Sequence, residues 1–217
     1  AAIGLSQNKF SASDDFGNSG KRWQKNKSWG GYYVTTLHDY SGHNVRNALI
    51  YSDNIYFAKA ALKIGKDTLK DQFDNLLFGK NLDFTFGLTA SSYGSEGFTS
   101  EIQLADSGYG QGEMMVNPVH MATIYTAFSN KGNMLKPYLI KQKGSKKQVL
   151  KEHVFSNDAV KTVNDAMKQV ISNPNGTGHA AQIDGIDLKG KTGTAEIKQS
   201  QTDTKGTELG WFVTIMP

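Results

Sequence analysis

The stretch Leu188-Lys189-Gly190-Lys191-Thr192-Gly193-Thr194-Ala195-Glu196-Ile197 decides how this chain is read. It follows residues 176–178, where helical spacing gives way to a strand pattern. A second strand-like run over 208–216 comes after a polar turn rich in Thr, Gln and Gly, so the two runs are expected to form an antiparallel hairpin. Gly193 is conspicuous inside the first strand, because glycine weakens a strand and often marks the close approach of another backbone. With Lys191, Thr192 and Thr194 around it, an extended peptide is able to lie along the strand edge beside a cation and two hydroxyls. That suits a peptide ending in a carboxylate, bound by strand addition. The plain alternative is a chance Lys-Thr-Gly-Thr in a hairpin.

Upstream the pattern is mostly helical. Ser156 is placed to cap a helix in which Val160, Val163, Met167, Val170 and Ile171 recur at helical spacing. Asn117-Pro118 opens another, Asn suiting the cap and Pro the first turn. Its expected buried face is Met121, Ile124, Tyr125 and Phe128, with Gly132 ending it. Residues 67–78 read as an amphipathic helix stopped by Gly79. Residues 45–64 carry an apolar stripe broken by Ser52-Asp53-Asn54, which predicts a helix–turn–helix junction there. Residues 6–44 and 80–112 read as irregular, with 32–36 the best strand candidate in the first. The fold class expected is α+β, a helical lobe (1–178) beside an antiparallel sheet hairpin (179–217). Residues 1–5 read as the tail of an interrupted helix, and both ends of the chain read as cuts.

The chain has 217 residues, 38% of them hydrophobic and 20% charged, the balance of a globular protein rather than a disordered one. No apolar run is long enough to span a bilayer. Cysteine is absent, which excludes disulfides and thiolate metal sites and suits an exported protein. The net charge of +4 and pI of about 9.0 invite a nucleic-acid reading. Apart from 21–27 and 141–151, however, the basic residues are scattered, so solvated loops facing an anionic cell surface are the better account. The five histidines stand singly, without metal-ligand spacing, and His38 and His43 read as surface or loop residues. The glycine-rich stretches 94–97 and 108–112 lack the strand-to-helix context of a phosphate loop. No cofactor and no metal are expected.

Ser52-Asp53-Asn54 has a bland reading as a helix cap, and a chemical one. A hydroxyl relays a proton, and an Asn amide both donates to and accepts from a peptide group. Serine acyl transferases join Ser-x-x-Lys, Ser-x-Asn and Lys-Thr-Gly in that order; the second and third occur here in order. With Trp29-Gly30-Gly31-Tyr32, Asp106-Ser107-Gly108-Tyr109-Gly110-Gln111-Gly112, Asn117-Pro118 and residues 190–197, they make the sequence resemble the transpeptidase domain of class B penicillin-binding proteins. The likeness is greatest to the low-affinity, resistance-type proteins of Gram-positive bacteria, and covers nearly the whole chain, residues 1–217.

The resemblance implies the penicillin-binding and serine β-lactamase-like fold, truncated at both ends. It implies an enzyme that cross-links peptidoglycan stem peptides at D-Ala-D-Ala through a seryl acyl-enzyme and is inhibited by β-lactams. It places that enzyme at the extracytoplasmic face of the cell membrane, held by an N-terminal anchor outside this chain, with no nucleic-acid partner. Ser52 would relay a proton to the leaving amine, helped by Lys191, whose charge also attracts the substrate carboxylate. Asn54 would hold the amide of the acylated side and Thr192 the terminal carboxylate. The Thr194 N–H would be half of the oxyanion hole, and Gly193 would permit the close approach. Tyr32 and Gln111 are candidates to line the groove; packing for Tyr32 and a turn for Gln111 are equal readings.

The departure is the nucleophile, expected a few residues before Ala1. Ser6-Gln7-Asn8-Lys9 fits Ser-x-x-Lys literally, but that motif needs a helix start so that Lys follows Ser by one turn. Ser6 instead follows an apolar segment and leads into turn-like residues, so a linker or loop-surface role is expected for it. A β-lactamase or D,D-carboxypeptidase, a β-lactam sensor and a non-catalytic relic are the alternatives on the same fold.

Overall fold

The computed structural model describes residues 1–140, 144, 146–197 and 206–216. In chain order it contains α1 (Ala2–Ser6), β1 (Arg22–Trp23), β2 (Val34–Thr35), α2 (Val45–Ile50), α3 (Asn54–Ile64), α4 (Lys66–Asn75), α5 (Glu101–Ser107) and α6 (Pro118–Ser129). There follow β3 (Met134–Leu135), β4 (Val149–Lys151), α7 (Asn157–Ser172), β5 (Lys189–Ile197) and β6 (Thr207–Ile215). The expected α+β architecture is present. Among the described residues the strands form three separate antiparallel pairs, β1–β2, β3–β4 and β5–β6. The turn expected between β5 and β6 falls largely on residues 198–205, outside the described residues.

Short polar side chains start the helices. Asn44, Asp53, Ser100, Asn117 and Ser156 each accept a backbone N–H from the first turn of α2, α3, α5, α6 and α7, and a cap of this kind is worth about 1 kcal/mol. α3 runs through the core, with Ile55, Tyr56, Phe57, Ala58, Ala60, Ala61 and Ile64 all buried. α7 is amphipathic, burying Val160, Val163, Met167, Val170 and Ile171 against α1, α2 and β5. Fully burying one such side chain contributes about 1.5–3 kcal/mol. One core cluster runs from Leu69 on α4 through Met167 and Val170 on α7 to Ile215 on β6, so the hairpin and the helices share apolar contacts.

Three readings change. α4 ends at Asn75, because Leu77 and Gly79 turn the chain with φ of 71° and 72° while Leu76 and Phe78 still enter the core. Helix α5 lies inside the segment read as irregular. Its buried residues include the polar Gln103, Asp106 and Ser107, so it leaves no apolar period to detect. The buried face of α6 is His120, Thr123, Ile124, Ala127 and Phe128, with Met121 and Tyr125 only half-buried. His120 enters the core because both ring nitrogens are partnered, Nδ1 with Ser91 Oγ at 2.8 Å and Nε2 with the Leu76 carbonyl at 2.7 Å.

Candidate functional site

Ser52-Asp53-Asn54 divides its work between two helices. α2 closes with Asp53 N–H on the Ala48 carbonyl (2.9 Å) and Ser52 N–H on the Leu49 carbonyl (3.4 Å). That is the Schellman pattern, whose left-handed residue is usually glycine. Here it is Ser52, at φ 54°. A left-handed L-residue costs about 1–2 kcal/mol, and such strain gathers at functional sites. Asp53 then caps α3, its Oδ1 accepting from Ile55 N–H at 2.9 Å and Tyr56 N–H at 3.1 Å. The cap is therefore Asp53, which leaves the Ser52 hydroxyl for other partners.

Lys191 on β5 is that partner. Its Nζ donates to Ser52 Oγ at 2.8 Å and to the Thr192 carbonyl at 2.8 Å. Desolvation of the ammonium group lowers the Lys191 pKa to about 8, because burial penalises the charged form. A cation held this way both keeps and yields a proton near neutral pH, which is what a relay through Ser52 requires.

The strand supplies the rest. Gln111 Nε2 donates to the Thr194 carbonyl at 3.1 Å. In an antiparallel ladder the N–H and C=O of one residue point to the same side, and alternate residues share that side. Thr192 and Thr194 therefore turn their backbone groups to the edge of β5 away from β6. A Cβ on Gly193 would press on Trp211 Cβ, its cross-strand partner, at 3.3 Å, so glycine keeps the face it shares with Lys191 less crowded. Thr192 Oγ1 donates to Thr177 Oγ1 at 2.7 Å, making a pair of adjacent hydroxyls on the opposite face. The Thr177 N–H is held by the Ile50 carbonyl at 3.2 Å, at the end of α2.

Thr177 carries no signal of its own in the sequence, although it stands between two glycines. Those glycines are forced by packing. A Cβ on Gly176 would lie 2.2 Å from the Val170 carbonyl oxygen, and one on Gly178 would lie 2.8 Å from Ile171 Cδ1. The loop thus presses on the end of α7, which carries Thr177 to Thr192.

The remaining candidates have other partners. Asn54 Nδ2 donates to the Thr35 carbonyl at 3.1 Å, which ties the junction to β2. The Tyr32 hydroxyl donates to Asp106 Oδ2 at 2.5 Å, and the Tyr109 hydroxyl to Asp106 Oδ1 at 2.6 Å. Beneath Ser52, Asp53 Oδ2 accepts from the Tyr40 hydroxyl at 2.7 Å, with His43 Nδ1 3.7 Å away. His43 is a loop residue as expected, but a buried one. Ser6 closes α1, and its Oγ accepts from Ser156 N–H at 2.9 Å. Asn8 beyond it is left-handed at φ 52°, so no helical turn carries Lys9 over Ser6.

Residues 1–217 match the family model described as "Penicillin binding protein transpeptidase domain". The chain is 40% identical over 214 residues to Penicillin-binding protein 3 of Bacillus subtilis, covering 98% of this chain and 32% of that protein. It is 30% identical over 185 residues to Penicillin-binding protein 1A/1B of the same organism, covering 80% of this chain and 18% of that protein. The fold superimposes on the apo TP domain of Burkholderia pseudomallei penicillin-binding protein 3 with a TM-score of 0.84 at 21% identity, covering all of this chain and 63% of that one. The chain thus spans a third or less of the length of these curated relatives.

Proposed function

The chain belongs to the penicillin-binding protein transpeptidase family, and on that footing we propose that it forms the substrate-holding and proton-relaying part of a peptidoglycan D,D-transpeptidase. The observation that carries this reading is the 2.8 Å contact from Lys191 Nζ to Ser52 Oγ, which sets a desolvated cation and a hydroxyl beside the open edge of β5.

In this reading a stem peptide ending in D-Ala-D-Ala lies along that edge as an added strand. Its terminal carboxylate meets the hydroxyls of Thr192 and Thr177 and the charge of Lys191. A serine outside residues 1–217, N-terminal in the family's motif order, attacks the carbonyl of the penultimate residue. Its proton is taken by a lysine of the same motif. The developing oxyanion is met by the Thr194 N–H. As the C–N bond breaks, the departing amine takes a proton relayed through Ser52 and Lys191. An amine from a second stem peptide then attacks the seryl ester, forms the new amide and returns a proton to the serine. Asn54 holds the acylated side, Gly193 keeps the face it shares with Lys191 less crowded, and Gln111 and Tyr32 border the groove. Residues 1–178 supply the Ser52 side of the domain and 179–217 the Lys191 side. A β-lactam enters the same site as a mimic of the D-Ala-D-Ala terminus. The whole protein would work on the extracytoplasmic face of the cell membrane, tethered by a segment outside this chain.

The test is labelling of the whole protein with a fluorescent penicillin. A long-lived covalent label is expected, with Lys191→Ala slowing its formation by about 10²–10⁴-fold. An unchanged rate in Lys191→Ala would sink the assignment, and a label hydrolysed within seconds would point to a β-lactamase.

A further inference from the structure

We propose that Asp106 is a positioning residue of this site, gathering Tyr32, Tyr109 and the Gln111 loop into one network that seats the Gln111 amide on the Thr194 carbonyl at the substrate edge of β5. The proposal rests on the transpeptidase reading and adds to it a residue that does not itself touch substrate.

Both carboxylate oxygens of Asp106 are engaged, Oδ2 by the Tyr32 hydroxyl at 2.5 Å and Oδ1 by the Tyr109 hydroxyl at 2.6 Å. Its backbone is engaged as well, because the Gln111 N–H donates to the Asp106 carbonyl at 3.0 Å. Gln111 lies between Gly110 and Gly112, whose φ values are 80° and 73°. Two left-handed glycines give this stretch the turn it needs, and also the widest range of other conformations. Without the anchor at Asp106, little in the loop's own sequence would keep the Gln111 amide aimed at β5.

Asp106 is only 7% exposed, and desolvation raises its pKa despite the two phenol hydrogen bonds. A buried carboxyl is costly unless its partners are well placed, and removing one leaves its partners unsatisfied. The same burial raises both phenol pKa values, so Tyr32 and Tyr109 remain donors throughout the physiological range. The network thus reaches the strand at Thr194, through Gln111. Helix α5, which carries Asp106, packs on α3, whose start is the Ser52 junction. Asp106 thereby links the helical side of the site to the strand side, its carboxyl holding the two tyrosines and its main-chain carbonyl holding Gln111.

The experiment is a double-mutant cycle on the whole protein, read as the second-order rate of labelling by a fluorescent penicillin. Asp106→Asn keeps the shape of the side chain but places N–H donors against a phenol hydroxyl. Asp106→Asn and Gln111→Ala are each expected to slow labelling about tenfold, and the double variant to be slowed about tenfold rather than a hundredfold. Losses that multiply would overturn the proposal, because they mean Asp106 acts independently of Gln111. So would an Asp106→Asn variant that labels at the parent rate. If Asp106→Asn loses its cooperative melting transition, Tyr109→Phe removes one of the two hydrogen bonds while keeping the ring. The same non-additivity with Gln111→Ala is then expected, and multiplied losses again overturn the proposal. A parent protein that takes no label overturns the transpeptidase reading itself, whereas a labelled parent with multiplied losses overturns only the role of Asp106.

Discussion

Lys191 Nζ reaches Ser52 Oγ across 2.8 Å although 139 positions separate the two residues in sequence, and Ser52 meets it from a left-handed backbone conformation at φ 54°. A position whose local geometry favours glycine is held by a residue with a hydroxyl. Local stability and site chemistry pull that position in opposite directions.

Replacing Ser52 by Gly should therefore give a protein more stable than Ser52→Ala and less active than the parent. Both variants lose the Lys191 hydrogen bond, and only Gly relieves the backbone. Relief of the left-handed backbone is worth about 1 kcal/mol, seen as a higher denaturation midpoint. Penicillin labelling should slow by about 10²-fold as the relay hydroxyl is lost. Ser52→Ala should show the same slowing without the gain. A Ser52→Gly variant no more stable than Ser52→Ala would refute the strain argument.

The lowered Lys191 pKa gives a stability trend with a definite sign. Between about 8, its folded value, and 10.5, its ordinary value, the unfolded chain binds more protons than the folded one. Lys191 therefore contributes a stability that rises with pH through that window. Urea midpoints of the parent and of Lys191→Met, measured at pH 7.5 and pH 10, should shift in favour of the parent at the higher pH. A difference that stays constant would contradict the burial of this cation.

His120 should act at the acid end. Its pKa is lowered by burial from the ordinary 6.5, so the neutral ring is the one the folded state keeps. That contribution is fully present above 6.5 and fades as pH falls below it, where the unfolded chain takes up the proton. The loss of stability between pH 7.5 and pH 5 should be smaller in His120→Gln than in the parent, as urea denaturation would reveal.

Gly176→Ala should damage the site from outside it. The new methyl would lie 2.2 Å from the Val170 carbonyl oxygen, so backbone must move, at a cost of about 1–3 kcal/mol. Because the loop holds Thr177 against Thr192, penicillin labelling should slow as well. A variant with parent stability and parent labelling would show that this close approach does not position Thr177.

Much of the fold was legible because its signals are local. Ser156 and Asn117-Pro118 announce helices through the hydrogen bonds that their side chains make to the next turn. Residues 188–197 announce a strand in the same way, through their own pattern. Helix α5 was not legible, since three of the five residues it buries are polar, Gln103, Asp106 and Ser107, and Asp106 is satisfied by the distant Tyr32. Strands β1 to β4, at two or three residues each, are too short for alternation to show. Thr177 was hidden for a related reason, because the glycines around it report their packing on α7 only once α7 is in place.

The sequence by itself determined the chemical inventory: Ser52, Asn54 and a Lys-Thr-Gly-Thr strand, in the order of a serine acyl transferase, with helices and a hairpin to carry them. Their types and spacing follow from covalent order and local propensity. Tertiary structure alone decided which of them meet. It set Lys191 on Ser52, Thr192 on Thr177 and Gln111 on Thr194, and it turned Asn54 to β2 and Tyr32 to Asp106. Those contacts join residues far apart in the chain; the Lys191–Ser52 and Thr192–Thr177 pairs form where α2 packs on α7 and β5 lies against α7, a placement no local stretch encodes.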